Sequence, residues 1–253
     1  MNSIEIAQMI DHTLLKSDAT PAMIEKLCSE AKQWRFKSVC VNPCYVKQCV
    51  SHLQDSDVLV ATVIGFPLGA AHPKCKKYEC EVALIDGASE FDMVINIGAL
   101  KSHLSDFVRE EIAGVVAASR GRIVKVIIEA CLLSEEEKRL ACRLTKEAGA
   151  HFVKTSTGFS SGGATIEDIA LMRREVGKEM GVKASGGIRD LNTALEMIAH
   201  GALNPYSAIA KRPLVKEGKV KKNSARFCLY WQTCQLQLTD EALLCRGLHQ
   251  FGR

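Results

Sequence analysis

The chain has little proline, six residues in 253, and its eighteen glycines sit in a composition that is 47% apolar and 25% charged. That balance excludes a disordered, collagen-like or coiled-coil chain. No apolar run is long enough to cross a bilayer: the longest uncharged stretch, Val58 to Ala71, is broken by Gly65, Pro67 and Gly69. No basic region followed by an apolar core opens the chain, and Glu5 and Asp11 stand where a signal peptide would need neither. A cytoplasmic protein is expected. No C-x-x-C pair and no zinc-type His spacing occurs among the eleven cysteines, an odd number, whose closest pair is Cys40 and Cys44. In a reducing compartment most of them should be small buried hydrophobes rather than a disulfide framework.

The net charge of +4 is also less than it looks. Residues 203–253 carry nine Lys or Arg against Glu217, Asp240 and Glu241, a surplus of +6, so residues 1–202 stand at −2. The positive excess belongs to the terminal segment, and the main domain gives no electrostatic sign of nucleic-acid binding.

What is present is a beat of strand and helix. Apolar, β-branched runs at Ile10–Leu15, Ser38–Val41, Leu59–Gly65, Phe91–Ile97, Val124–Glu129, His151–Thr155 and Val182–Ala184 predict strands. Amphipathic patterns over 21–34, 44–54, 75–86, 103–118, 135–148, 166–179 and 191–200 predict helices between them. Thr20-Pro21, Ser134 with Glu137, and Asp190 supply helix starts, and Gly201 a stop. Seven βα units predict a parallel sheet of the α/β class, a (β/α)₈ TIM barrel whose eighth unit is still to come. A doubly wound sheet competes, but no G-x-G-x-x-G follows the first strand.

In a barrel, chemistry gathers at the C-terminal ends of the strands. Lys154 ends the sixth strand and Lys183 the seventh, one βα unit apart, so they should be neighbours. Like charges facing one barrel mouth should lower the pKa of at least one, and a partly neutral lysine can attack a carbonyl to form a Schiff base. The competing reading leaves both lysines solvated between helices. Asp92, in an otherwise apolar strand, is either a general acid and base or half of a structural ion pair. Thr157-Gly158, Ser161-Gly162-Gly163 and Ser185-Gly186-Gly187 are either a backbone cradle for phosphate or plain turns.

Six motifs in order resemble the deoxyribose-phosphate aldolase family: Ile10-Asp-His-Thr-Leu-Leu-Lys16, Ser38-Val-Cys-Val-Asn-Pro43, Ala61-Thr-Val-Ile-Gly-Phe-Pro-Leu-Gly69, Asp92-Met-Val-Ile-Asn-Ile-Gly98, Val153-Lys-Thr-Ser-Thr-Gly-Phe159 and Val182-Lys-Ala-Ser-Gly-Gly-Ile-Arg189. The resemblance covers residues 1 to about 202. It implies a class I lyase of deoxyribose phosphate catabolism, without metal or cofactor, that cleaves 2-deoxy-D-ribose 5-phosphate to D-glyceraldehyde 3-phosphate and acetaldehyde. It implies Lys154 as the Schiff-base lysine, Lys183 as its electrostatic and proton-transfer partner, and Asp92 as proton donor and acceptor. Asp11 and Cys40 match residues lining the family's pocket, and Gly158, Gly186 and Gly187 its phosphate loops. A homodimer or homotetramer is implied, with a small sugar phosphate as the partner and neither nucleic acid nor membrane.

The match has departures. Ala71-His-Pro-Lys-Cys-Lys-Lys replaces a Thr-rich helix entry, and Phe159-Ser-Ser-Gly-Gly stands where the family has Gly and Thr before the glycines. After Gly201-Ala202 the family's Gly-Thr-Ser-type phosphate loop has no counterpart in Leu203-Asn-Pro-Tyr-Ser-Ala-Ile-Ala-Lys-Arg-Pro, and Pro205 fits poorly in a central strand. Residues 1–202 are therefore read as the aldolase barrel and 203–253 as an atypical segment, a diverged eighth unit with a basic tail. Three further readings stay open: a different Schiff-base sugar-phosphate aldolase, a catalytically impaired or dead barrel, and a basic-tail nucleic-acid binder.

Overall fold

A computed structural model describes residues 3–202. The expectations for the eighth unit and the basic tail lie outside the described residues. Seven strands, β1 (Asp11–Leu14), β2 (Ser38–Val41), β3 (Leu59–Ile64), β4 (Glu90–Val94), β5 (Ile123–Ile127), β6 (Phe152–Lys154) and β7 (Gly181–Lys183), pair in chain order, every pair parallel. The helices are α1 (Ser3–Ala7), α2 (Pro21–Trp34), α3 (Val46–Leu53), α4 (Pro73–Ile85), α5 (Ile97–Lys101), α6 (Ser105–Ala118), α7 (Glu135–Glu147), α8 (Ile166–Val176) and α9 (Leu191–Ala199). This is the predicted parallel α/β architecture. The sheet curls far enough for β7 to meet β1 through side chains: Lys183 Nζ donates to Met9 O at 3.1 Å and pairs with Asp11 Oδ2 at 2.9 Å.

The expected caps form. Thr20 accepts from Met23 N ahead of Pro21, Ser134 and Glu137 close a full capping box, and Asp190 accepts from Thr193 N at 2.9 Å. Two five-residue helices, α1 and α5, were not expected. The strand predicted to run to Ile97 stops at Val94, because the Asn96 side chain turns back to accept from Ala99 N and starts α5. The helix predicted to reach 179 ends at Val176, where Gly177 takes φ +76°.

The strands' period of two separates two cores. One face of each strand, including Val39 and Val41, Phe91 and Met93, Val124 and Val126, and Val153 and Val182, packs in a large apolar cluster with the helices. The opposite phase faces the barrel interior, where Leu15, Cys40, Ala61 and Val63 form a small separate cluster against Phe66. Gly181 belongs to this inner phase; a Cβ there would lie 2.2 Å from the Phe152 ring, so the glycine makes room for the ring. The eight cysteines among the described residues are free thiols, five buried and Cys44, Cys75 and Cys131 exposed.

Candidate active site

The inner phase of β1, β4, β5, β6 and β7 carries six charged side chains among its apolar ones. Asp11, Glu90, Asp92, Lys125, Lys154 and Lys183 are all buried, at 8% exposure or less. They form one connected network of three carboxylates and three lysines. Lys125 lies at its centre, 3.1 Å from Asp11 Oδ2, 2.6 Å from Glu90 Oε2 and 3.1 Å from Asp92 Oδ1. Lys154 Nζ donates to the other oxygen of Asp92, Oδ2, at 2.6 Å. Asp11 also accepts from Ser38 Oγ at 2.8 Å. Unpaired charges would be prohibitively costly here, and each is matched by its opposite.

Register explains the layering. Asp92 pairs with Lys125 across β4 and β5, while Lys154 pairs with Ile127 on one side and Lys183 on the other. Lys154 and Lys183 are thus the neighbours that the spacing predicted, one layer above Asp92 and Lys125, at the C-terminal rim. The expectation that mutual repulsion depresses a lysine fails for Lys154. Burial does push its ammonium down, but the Asp92 carboxylate outweighs burial and holds it above its ordinary value. Burial likewise tends to raise Asp92 and Asp11, and the lysines override it. Lys125 and Lys154 keep Asp92 below the usual carboxylate range, while Lys125 and Lys183 hold Asp11 well below it. Lys125, facing three carboxylates, is held well above the usual lysine value despite burial.

Cys40, one of the pocket residues implied by the resemblance, lies in the small inner cluster. Burial and the nearby Asp92 charge push its thiol up to about 12, so it serves as a neutral, small apolar wall rather than as a thiolate. Lys125 and Glu90 were not predicted, because they lie below the C-terminal strand ends where barrel chemistry is expected. The signal existed, since Lys125 shares the phase of Ile127, whose β6 partner is Lys154.

The glycine loops after β6 and β7 are clasped together. Ser185 N donates to Thr155 Oγ1 at 3.0 Å, Ser185 Oγ to Ser156 O at 2.6 Å, and Ala164 N to Ser185 O at 3.0 Å. Gly158, Gly186 and Gly187 take φ of +80°, +78° and +79°. Gly158 and Gly163 both approach Gly186, while the Cβ direction at Gly187 is open. Positive-φ glycines beside an open volume let a ligand approach the backbone closely. Gly163→Ala would put a Cβ 2.5 Å from the Gly186 carbonyl and force the loops apart. The expected result is a rise of roughly tenfold or more in KM for a phosphorylated substrate, with a folded circular dichroism spectrum. An unchanged KM would show that the clasp does not shape the site.

Among the described residues no helix is long and apolar enough to cross a membrane. The model of the DeoC/LacD family aldolases matches residues 5–207. A deoxyribose-phosphate aldolase of Lysinibacillus sphaericus (strain C3-41) is 61% identical over 197 residues, 78% of this chain and 88% of the relative. That of Coprothermobacter proteolyticus is 54% identical over 220 residues, 87% of this chain and the whole of the relative. Among solved structures, the tetrameric deoxyribose phosphate aldolase from Aeropyrum pernix superposes with a TM-score of 0.74 at 33% identity, covering 79% of this chain and 86% of that one.

Proposed function

The chain belongs to the DeoC/LacD family of aldolases, and from that premise we propose that it cleaves 2-deoxy-D-ribose 5-phosphate reversibly to D-glyceraldehyde 3-phosphate and acetaldehyde. The observation that carries this reading is the buried Lys154–Asp92 contact of 2.6 Å at the barrel rim. An ammonium cannot attack a carbonyl, so the resting pair must first pass its proton along the hydrogen bond to Asp92. That transfer turns two buried charges into a neutral amine and a neutral acid, a change that water exclusion by bound substrate favours.

Lys154 then adds to C1 of the open-chain aldehyde. Asp92 returns its proton to the resulting hydroxyl, which leaves as water, and the protonated Schiff base remains. Loss of the C3 hydroxyl proton to Asp92, directly or through water, breaks C2–C3 and sends the electron pair into the iminium. Glyceraldehyde 3-phosphate departs, leaving the enamine of acetaldehyde. Protonation of the enamine carbon and hydrolysis free the second product. Lys125 stays charged throughout and stabilises Asp92 whenever it is ionised. Lys183, tied to Asp11 and on the strand next to that of Lys154, is the electrostatic and proton-transfer partner of Lys154. The loops bearing Gly158, Gly186 and Gly187 hold the phosphate, with Asp11 and Cys40 lining the pocket. On this reading residues 1–202 form the barrel, 203–253 are an atypical C-terminal segment with a diverged eighth unit and a basic tail, and the protein works as a cytoplasmic homodimer or homotetramer.

The test is borohydride trapping with acetaldehyde followed by peptide mapping. A reduced two-carbon adduct on Lys154, absent from Lys154→Ala, is the expected outcome. A folded chain that gives no adduct, or an adduct on another lysine, overturns the assignment.

A further inference from the structure

Glu129 follows β5 and takes no part in the lysine network. It is 3% exposed and adopts φ +51°, a left-handed conformation that strains a residue with a side chain. Its carboxylate is spent on one residue of the next loop. Thr157 N lies 3.2 Å from Oε1, and the Thr157 hydroxyl donates to Oε2. Thr157 Oγ1 in turn accepts from Phe159 N at 3.1 Å. The Phe159 ring meets Phe66 edge to face, centroids 5.1 Å apart, across to the turn after β3. One buried carboxylate therefore sets the Thr157–Gly158–Phe159 turn from β5 outward, and with it one wall of the site's mouth.

We propose that Glu129 is a positioning residue for the substrate's phosphate, acting through Thr157 on the backbone of the Gly158 turn. This rests on the aldolase reading above. The strain at Glu129 and the convergence of its bonds on Thr157 are separate observations that point the same way. A carboxylate in this place satisfies two donors at once and fixes the direction of the Thr157 hydroxyl proton. Neither the Lys154–Asp92 contact nor the inner charge network passes through Glu129. Its removal should separate phosphate recognition from carbon–carbon cleavage.

The experiment compares Glu129→Ala and Glu129→Gln with the unmodified protein on 2-deoxyribose 5-phosphate and on unphosphorylated 2-deoxyribose. For Glu129→Ala, KM for the phosphorylated sugar should rise on the order of 10–100-fold with kcat within about threefold, while turnover of the unphosphorylated sugar stays within about twofold. Glu129→Gln, which keeps one acceptor oxygen, should fall between the two, and it carries the test if the alanine variant does not fold. Equal losses on both sugars, or no change on either, overturn the inference. If the unmodified protein cleaves neither sugar, the aldolase reading fails instead. Hydrogen exchange then decides on Glu129: faster exchange of the Thr157 and Phe159 amides with an unchanged Glu137 capping-box amide supports the brace, and unchanged exchange at Thr157 and Phe159 overturns it.

Discussion

Replacing Lys125 by methionine should lower the stability of the fold by about 3–5 kcal/mol, the usual consequence of stripping a buried charge of its partner. The effect is large because one cation serves Asp11, Glu90 and Asp92, all buried, at 2.6 to 3.1 Å. Equilibrium urea unfolding at pH 7 measures it, as a lower midpoint at an unchanged slope. The dependence on pH gives a sharper check. In the unmodified protein Asp11 and Asp92 are depressed below their ordinary values, so their contribution is fully present above about pH 4 and is lost as pH falls through the folded values. Lys125 is raised, so its contribution is present below about pH 10.4 and is lost as pH rises through its folded value. In the variant Lys154 still faces Asp92 and Lys183 still faces Asp11, so three carboxylates share two cations. Asp11 and Asp92 lose part of their depression, the folded state takes up protons more readily than the unmodified fold, and the stability deficit shrinks on acidification. A deficit under about 1 kcal/mol, or one that grows on acidification, would show that water rather than Lys125 compensates these carboxylates.

Asp92→Asn should cut kcat by roughly 10²–10⁴-fold, the range expected on loss of a positioned acid and base. The same change removes the anion that holds Lys154 protonated, so the amine becomes easier to free. The two effects oppose each other in an informative way. Borohydride trapping of acetaldehyde on Lys154 should survive at neutral pH while steady-state turnover collapses. Turnover retained to within tenfold would mean that the proton travels by a route other than Asp92. Parallel loss of trapping and turnover would mean that Schiff-base formation itself needs Asp92, as the acid that expels water or as the group that holds the Lys154 side chain in place.

The architecture was legible because β-branched runs and capped helices alternate with little interruption, and parallel strands buried on both sides leave a plain apolar trace. Its errors are local. Five-residue helices such as α5 carry too few turns to show a period, and Asn96 ends β4 through a side-chain bond that hydropathy does not register. Lys154, Lys183 and Asp92 stood out as charges in apolar strands. Asp11 and Cys40 came only from the family resemblance, since nothing local marks a buried aspartate at the start of β1. The lowering expected of at least one lysine does not hold for Lys154, because the repulsion of the neighbouring lysine was weighed above the Asp92 carboxylate, which reaches Lys154 from 62 residues away across the curled sheet. Lys125 and Glu90 are legible only by following the inward phase along the whole strand, below the C-terminal rim.

The bridge from Lys183 to Met9 and Asp11 has a consequence for biosynthesis. Its ends are 174 residues apart in the chain at the Met9 contact, so loop closure on this scale must precede it. During synthesis Lys154 can meet Asp92 and Lys125 well before Lys183 has left the ribosome. Until it does, Asp11 is a carboxylate waiting for one of its two cations. The charge balance of the pocket is thus completed late, when the seventh strand arrives. An incomplete chain would hold the nucleophile without its balanced surroundings, and turnover would report on the arrival of β7 as much as on the chemistry of Lys154.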